Sequence, residues 1–241
     1  MTRSVLSGVC TLATRHDALD RNPVRDVSAL TGQARKSPRA LSVPQLKQLR
    51  AALTYDSQAV SRDLPHFVDL MMATGMRIGE TAGLAWDAVD LDAGTVEVRA
   101  AVVRITGQGL SRKTTKTDTG VRTLILPSWC TDMLRARAAR LDRAGTAWKD
   151  GPVFPAALGG WRDPSNTQSD LRAAFDNAGF DWVTSHVFRK SVASVMDSAG
   201  LSSRAAADQL GHANTSMTTD VYFGRKVLAT GAAAVLEILG A

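Results

Sequence analysis

Between Asp87 and Leu126 the hydrophobic period of this chain changes, and that change limits the folds open to it. Within the stretch, "TVEVRAAVVRI" alternates and is β-branched, and "GVRTLILP" does the same after a Gly- and Thr-rich turn region. Successive side chains on a strand point to opposite faces, whereas a helix repeats every 3.6 residues, so one segment cannot satisfy both patterns. A small antiparallel sheet is therefore expected inside a helical chain. On either side the spacing predicts helices: over 2–18, from Ser42 with Leu46, Leu49 and Leu53 on one face, from His66 to Ala73, and from "MRIGETAGLAW". Further helices are expected over 128–142, 165–178, 184–199, 203–210 and 226–240. The class is α+β, mainly α.

The best internal boundary is "TGQARKSPRALS", polar, basic and broken by Gly32 and Pro38. It separates residues 1–40, where Val5, Val9 and Leu12 share a helical face, from a unit over 41–241. The second unit opens on Ser42 and Gln45 at capping-box spacing, with Pro44 in the first turn. With 44% hydrophobic and 22% charged residues the chain has globular composition, which argues against wholesale disorder. Two cysteines, Cys10 and Cys130, make no disulfide framework and have no metal-ligand spacing. There is no signal-peptide pattern at the start and no run of apolar residues long enough to span a membrane, so the expected location is cytoplasmic. A formal charge of +6 favours an anionic partner without identifying one.

Four places carry groups suited to such a partner. His186 and Arg189 are three apart in the first turn of a helix, a geometry that serves a phosphate or simply a solvated face. Arg77 follows the Gly75 break with Glu80 one turn on, equally consistent with an ordinary ion pair. From Arg99 to Arg122 the sheet region holds Arg99, Arg104, Arg112, Lys113, Lys116 and Arg122 against one acid, Asp118. This is a basic hairpin for a nucleic-acid backbone, or a sheet edge guarded by charge. Finally, "LGHANTSMTTDVY" places His212 after a probable helix C-cap, Gly211. Poorly helical residues then lead to Tyr222, one of only two tyrosines in the chain.

Taken together and in order, the strings "ATGMRIGE", "TTKTDTGVRTLILP", "SHVFRKSVA" and "QLGHANTSMTTDVYFGR" resemble the tyrosine recombinase (phage integrase) family. The resemblance covers roughly residues 41–241, is most specific in the last two strings, and is nearest to integrases of actinobacterial phages and mobile elements. It implies an integrase-type catalytic domain of helices with a small three-stranded sheet. It makes Arg77 and Arg189 the clamp on a scissile phosphate, Lys116 the hairpin lysine, His186 and His212 the two histidines, Tyr222 the nucleophile and Glu80 a support for Arg77. Lys113 competes with Lys116, but "KTDTGVR" aligns better from the latter. Arg104, Arg112, Lys113, Arg122 and Lys190 are the expected DNA-binding side chains. The reaction implied is a site-specific cleavage and rejoining of DNA through a 3′-phosphotyrosine, with no metal and no cofactor.

In the same family a core-binding domain precedes the catalytic one. Here residues 1–40 are enough for the last helix of such a domain, "VLSGVCTLATRHDAL", and its linker. The expected partners are double-stranded attachment-site DNA and further copies of the chain, as a tetramer on DNA through the C-terminal tail, with a monomer allowed without DNA. The tail "KVLATGAAAVLEILGA" places Val227, Ala234, Leu236 and Leu239 where a helix can bury them, on a neighbour or on its own domain. Two alternatives remain open at this level: a shortened DNA-binding remnant that does not recombine, and a type IB topoisomerase, which shares the chemistry.

Overall fold

A computed structural model describes residues 2–27, 39–114, 121–145, 148–211 and 230–240. Lys116, His212 and Tyr222 lie outside the described residues. The chain divides into two compact units, Met1–Pro38 and Arg39–Ala241.

The first unit is one helix, α1 (Thr2–Arg15), and a 3-10 turn, Pro23–Arg25. Asn22 holds them together: its amide donates to the Ser7 carbonyl and to the Thr11 hydroxyl, and its oxygen accepts from the Val24 N–H. Val5, Val9 and Leu12 share a face as expected, and all three are exposed.

In the second unit the helices are α2 (Val43–Tyr55), α3 (Ser57–Ser61), α4 (Leu64–Thr74), α5 (Ile78–Ala82), α6 (Ser128–Arg143), α7 (Pro164–Asn177), α8 (Ser185–Ser198), α9 (Ser203–Leu210) and α10 (Ala232–Leu236). The start of α2 is closed by the Gln45 side chain, which accepts from the Ser42 N–H at 2.9 Å. The centre is α4, whose residues from Phe67 to Thr74 are all buried. A helix apolar on every side needs neighbours on every side, and α2, α5, α6, α8 and α10 all pack on it. Edge-to-face ring pairs, Phe67–Phe154 and Phe175–Phe188, lie in this core.

The β region is more divided than its sequence suggested. "TVEVRAAVVRI" splits after Val98 into β2 (Thr95–Val98) and β3 (Ala100–Ile105). β2 joins β1 (Val89–Asp90) and β5 (Arg122–Ile125) in a three-stranded antiparallel sheet of order β1-β2-β5. β3 instead forms a separate hairpin with β4 (Gly109–Thr114). That fourth strand lies in the stretch taken for a turn. "GLSRKT" has no apolar alternation because its strand is covered little on either side. "MRIGETAGLAW" likewise yields only the five residues of α5, and "SQAVS" adds the unexpected α3.

The described part of the tail, residues 230–240, is a short helix, α10, and a 3-10 turn, Glu237–Leu239; Val227 lies outside the described residues. Its buried residues are Ala232, Leu236 and Leu239, with Ala234 exposed, and the described part packs on its own unit. There the Trp129 indole donates to the Leu236 carbonyl at 3.0 Å.

Candidate active site

The C-terminal end of α4 is where the described ones among the expected catalytic residues, Arg77, Glu80, His186 and Arg189, come together. α4 stops at Gly75, in the left-handed region at φ 69°. A Cβ there would sit 2.5 Å from the tip of the Leu210 side chain, which would have to shift, and the left-handed backbone itself favours glycine. The chain then extends through Arg77, which caps α5. The Glu80 carboxylate accepts from the Arg77 N–H at 2.9 Å and from its guanidinium at 2.8 Å. Arg77 is half exposed, while the Glu80 side chain is only 6% exposed.

Arg189 enters from α8 and is 3% exposed. It donates to the Gly75 carbonyl at 3.0 Å and to the Leu210 carbonyl, so one guanidinium ties the end of α4 to the end of α9. Burial, with Arg77 and Arg122 nearby and Glu80 opposing them, lowers its pKa to about 10. It stays charged at neutral pH. His186 lies one turn earlier on α8 and is exposed. Its pKa is lowered by partial burial, then by Lys190, Arg189 and Arg77, which favours the neutral imidazole.

Two further described side chains join this assembly. The Gln209 amide donates to the Thr74 carbonyl at 3.1 Å, and its oxygen accepts from the Thr230 hydroxyl at 2.9 Å. Arg122, from β5, donates to Glu80 Oε2 and to the Gln209 carbonyl, each at 3.0 Å. α9 ends at Gly211, the C-cap anticipated from sequence, at φ 62°. A Cβ on Gly211 would lie 2.8 Å from the Arg122 guanidinium.

The expected DNA-binding side chains fall into different places. Arg122 is a correction: its side chain is 2% exposed and points inward to Glu80, so it presents no surface to DNA. Arg104 pairs with Asp163 and keeps its side chain 55% exposed. Arg112 donates to the Gly83 carbonyl at 2.9 Å and stacks on Trp161. Lys113 is exposed on β4 and Lys190 is half-buried on α8. Gln209 carries no signal in the sequence, because an amide that bonds to backbone follows no pattern.

Among the described residues, Arg77, Arg122 and Arg189 face one carboxylate, Glu80, an excess of positive charge between α4, α8 and α9. Such a place suits an oxyanion with several charged oxygens. Among the described residues no group of His, Cys, Asp and Glu has the arrangement of a metal site. A cavity of about 830 Å³ lies elsewhere, at the other end of α4, lined by Lys47, Arg50, Tyr55, His66 and Trp129.

An integrase of Streptomyces ambofaciens is 29% identical over 95% of this chain and 61% of its own length. A "tyrosine recombinase XerC-like" protein of Caldanaerobacter subterraneus subsp. tengcongensis is 28% identical over 64% of this chain and 43% of its own. The chain therefore spans about half of the length of these curated relatives. Among solved structures, the Tn1549 transposon integrase in complex with a circular intermediate DNA superposes with a TM-score of 0.76 at 18% identity, over 97% of this chain and 76% of that one. A lambda integrase tetramer bound to a Holliday junction gives 0.55 at 18% identity, over 92% and 59%. At these identities the structural likeness is one of fold. The profile of the Phage integrase family matches residues 39–226, most of the chain, and the protein belongs to that family.

Proposed function

We propose that this chain is a site-specific DNA recombinase that cuts and rejoins duplex DNA through a 3′-phosphotyrosine at Tyr222. The observation that carries the reading is the excess positive charge held by Arg77, Arg189 and Arg122 around Glu80, beside the point where His212 follows Gly211. The relatives named for integration and recombination support it.

The chemistry follows from these groups. A free tyrosine has a pKa near 10, so only about 0.1% is ionised at pH 7 and attack needs a proton acceptor and a cationic cradle. Arg77 and Arg189 meet the non-bridging oxygens of the phosphate, whose negative charge grows in the transition state. Neutral His186, its pKa lowered, is the acceptor or a further donor to the phosphate. His212 is a second phosphate ligand. Lys116, in the connection between β4 and β5, protonates the leaving 5′-oxygen. Arg104, Arg112, Lys113 and Lys190 line the approach of the DNA backbone. The working form is a homotetramer on attachment-site DNA, joined through the tail, which in the isolated chain rests on its own domain.

The test is a covalent trap. Nicked duplexes taken from the DNA flanking the gene lose a short fragment on cleavage and cannot religate. The wild-type chain should form an adduct that survives denaturation, and Tyr222→Phe should form none. Binding without adduct by both proteins would reduce the chain to a DNA-binding remnant.

A further inference from the structure

Arg122 was expected at the DNA and is found inside the protein. Its guanidinium lies between two elements that carry the active site. On one side it donates to Glu80 Oε2 at 3.0 Å. The other carboxylate oxygen accepts from the Arg77 guanidinium at 2.8 Å, while Oε2 also accepts from the Arg77 N–H at 2.9 Å. On the other side Arg122 Nε donates to the Gln209 carbonyl at 3.0 Å, near the end of α9. The space between them is filled, since a Cβ on Gly211 would fall 2.8 Å from Arg122 Nη1.

From this geometry we infer that Arg122 is a positioning residue: it holds the buried Glu80 carboxylate as an anion, and through it the Arg77 guanidinium, in register with the α9 end that leads to His212. The inference rests on the proposed function for its catalytic consequence, not for its geometry.

The electrostatics agree. Burial alone drives the Glu80 pKa up, but the charge and hydrogen bond of Arg122 come next, followed by the Arg77 N–H and charge, and the net shift is downward. Among the described residues the charged groups facing Glu80 are thus Arg77 on its own helix, Arg122 from β5 and Arg189 from α8; α4, β3 and α7, which also pack on α5, bury it without adding a charge. Arg77 is half exposed and has no carboxylate partner but Glu80 among the described residues. Neutralising that carboxylate releases its guanidinium to rotamers that do not face Arg189. A surface arginine on DNA would act through affinity and salt dependence instead.

The experiment compares wild type, Arg122→Met and Arg122→Lys in the full chain. First, carboxyl carbon NMR, with the Glu80 signal assigned by its loss in Glu80→Gln, reads the Glu80 titration. Wild type and Arg122→Lys should titrate below the ordinary glutamate range and Arg122→Met above it; identical titration in all three overturns the inference. Second, single-turnover adduct formation on the nicked duplex is followed against pH. Arg122→Met should lose about 10²-fold at neutral pH, with the acid limb moved upward, while Arg122→Lys recovers most of the rate. In a Glu80→Gln background the same substitution should cost little, because the carboxylate it acts through is gone. A uniform loss at every pH, undiminished in that background, would make Arg122 merely structural. Should Arg122→Met fail to fold, Arg122→Gln, which keeps a donor for the Gln209 carbonyl, replaces it in both measurements. If the wild-type chain forms no adduct, the proposed function fails, and the Glu80 titration still decides the role of Arg122.

Discussion

Both ends of α4 carry buried arginines, and they are built on different principles. At the N-terminal half Arg50 and Arg137 each have an acid of their own, while Arg162 stands over the Phe67 ring and donates to the Arg62 carbonyl. Arg50 bonds to Asp69 at 2.8 Å and to the Leu239 carbonyl at 3.0 Å. Arg137 bonds to Asp63 at 2.8 Å and to the Val153 carbonyl at 2.7 Å. At the C-terminal end Arg77 and Arg122 share Glu80, and Arg189 bonds only to carbonyls. A buried arginine is therefore not a functional signal in itself. Charge matched one to one holds elements together, whereas charge left in excess marks where an anion belongs.

The contrast can be broken by substitution. Arg189→Met should slow adduct formation about 10²–10³-fold per folded molecule, with a smaller fall in melting temperature from the freed carbonyls of Gly75 and Leu210. Arg137→Met should do the reverse. It leaves Asp63 with only the longer His66 contact at 3.7 Å among its ion pairs and should cost about 3 kcal/mol of stability, the low end for a broken buried pair because Asp63 is a quarter exposed. Its single-turnover rate at a temperature where it is folded should match wild type. If Arg137→Met slowed cleavage as much as Arg189→Met, the two ends would not differ in kind.

The smallest effect concerns His186. Its pKa is lowered first by burial and then by Lys190, so Lys190→Ala should raise it, read by proton NMR titration of the imidazole. The sign for stability follows: with the folded pKa below the unfolded value near 6.5, the unfolded chain takes the proton first. Stability attributable to this residue falls as pH drops through that window, and Lys190→Ala should lessen the fall. An unmoved His186 titration would remove Lys190 from the site's electrostatics.

Much of this was legible before the structure. Helix positions followed from spacing because α6, α7 and α8 each turn an apolar face to one core and α4 is apolar all round. That Arg77, Glu80, His186 and Arg189 come together was legible because their strings are specific as a set. What failed had local causes. β4 faces too little protein to alternate, and α5 is fixed by Glu80 bonding back to Arg77 rather than by a long apolar stripe. Arg122 was misassigned because its neighbours in sequence are basic, while its partners, Glu80 and Gln209, are distant in the chain. Charge counted along a sequence does not say which way a side chain points.

The central claim is that the excess charge at the end of α4 serves the scissile phosphate. It is tested most directly by replacing one charged non-bridging oxygen of that phosphate with a methyl group, using a methylphosphonate in the nicked duplex, and comparing wild type with Arg189→Met. The account predicts that the deficit of about 10²–10³ on the ordinary phosphate shrinks at least about tenfold on the uncharged one. An equal deficit on both substrates would contradict it.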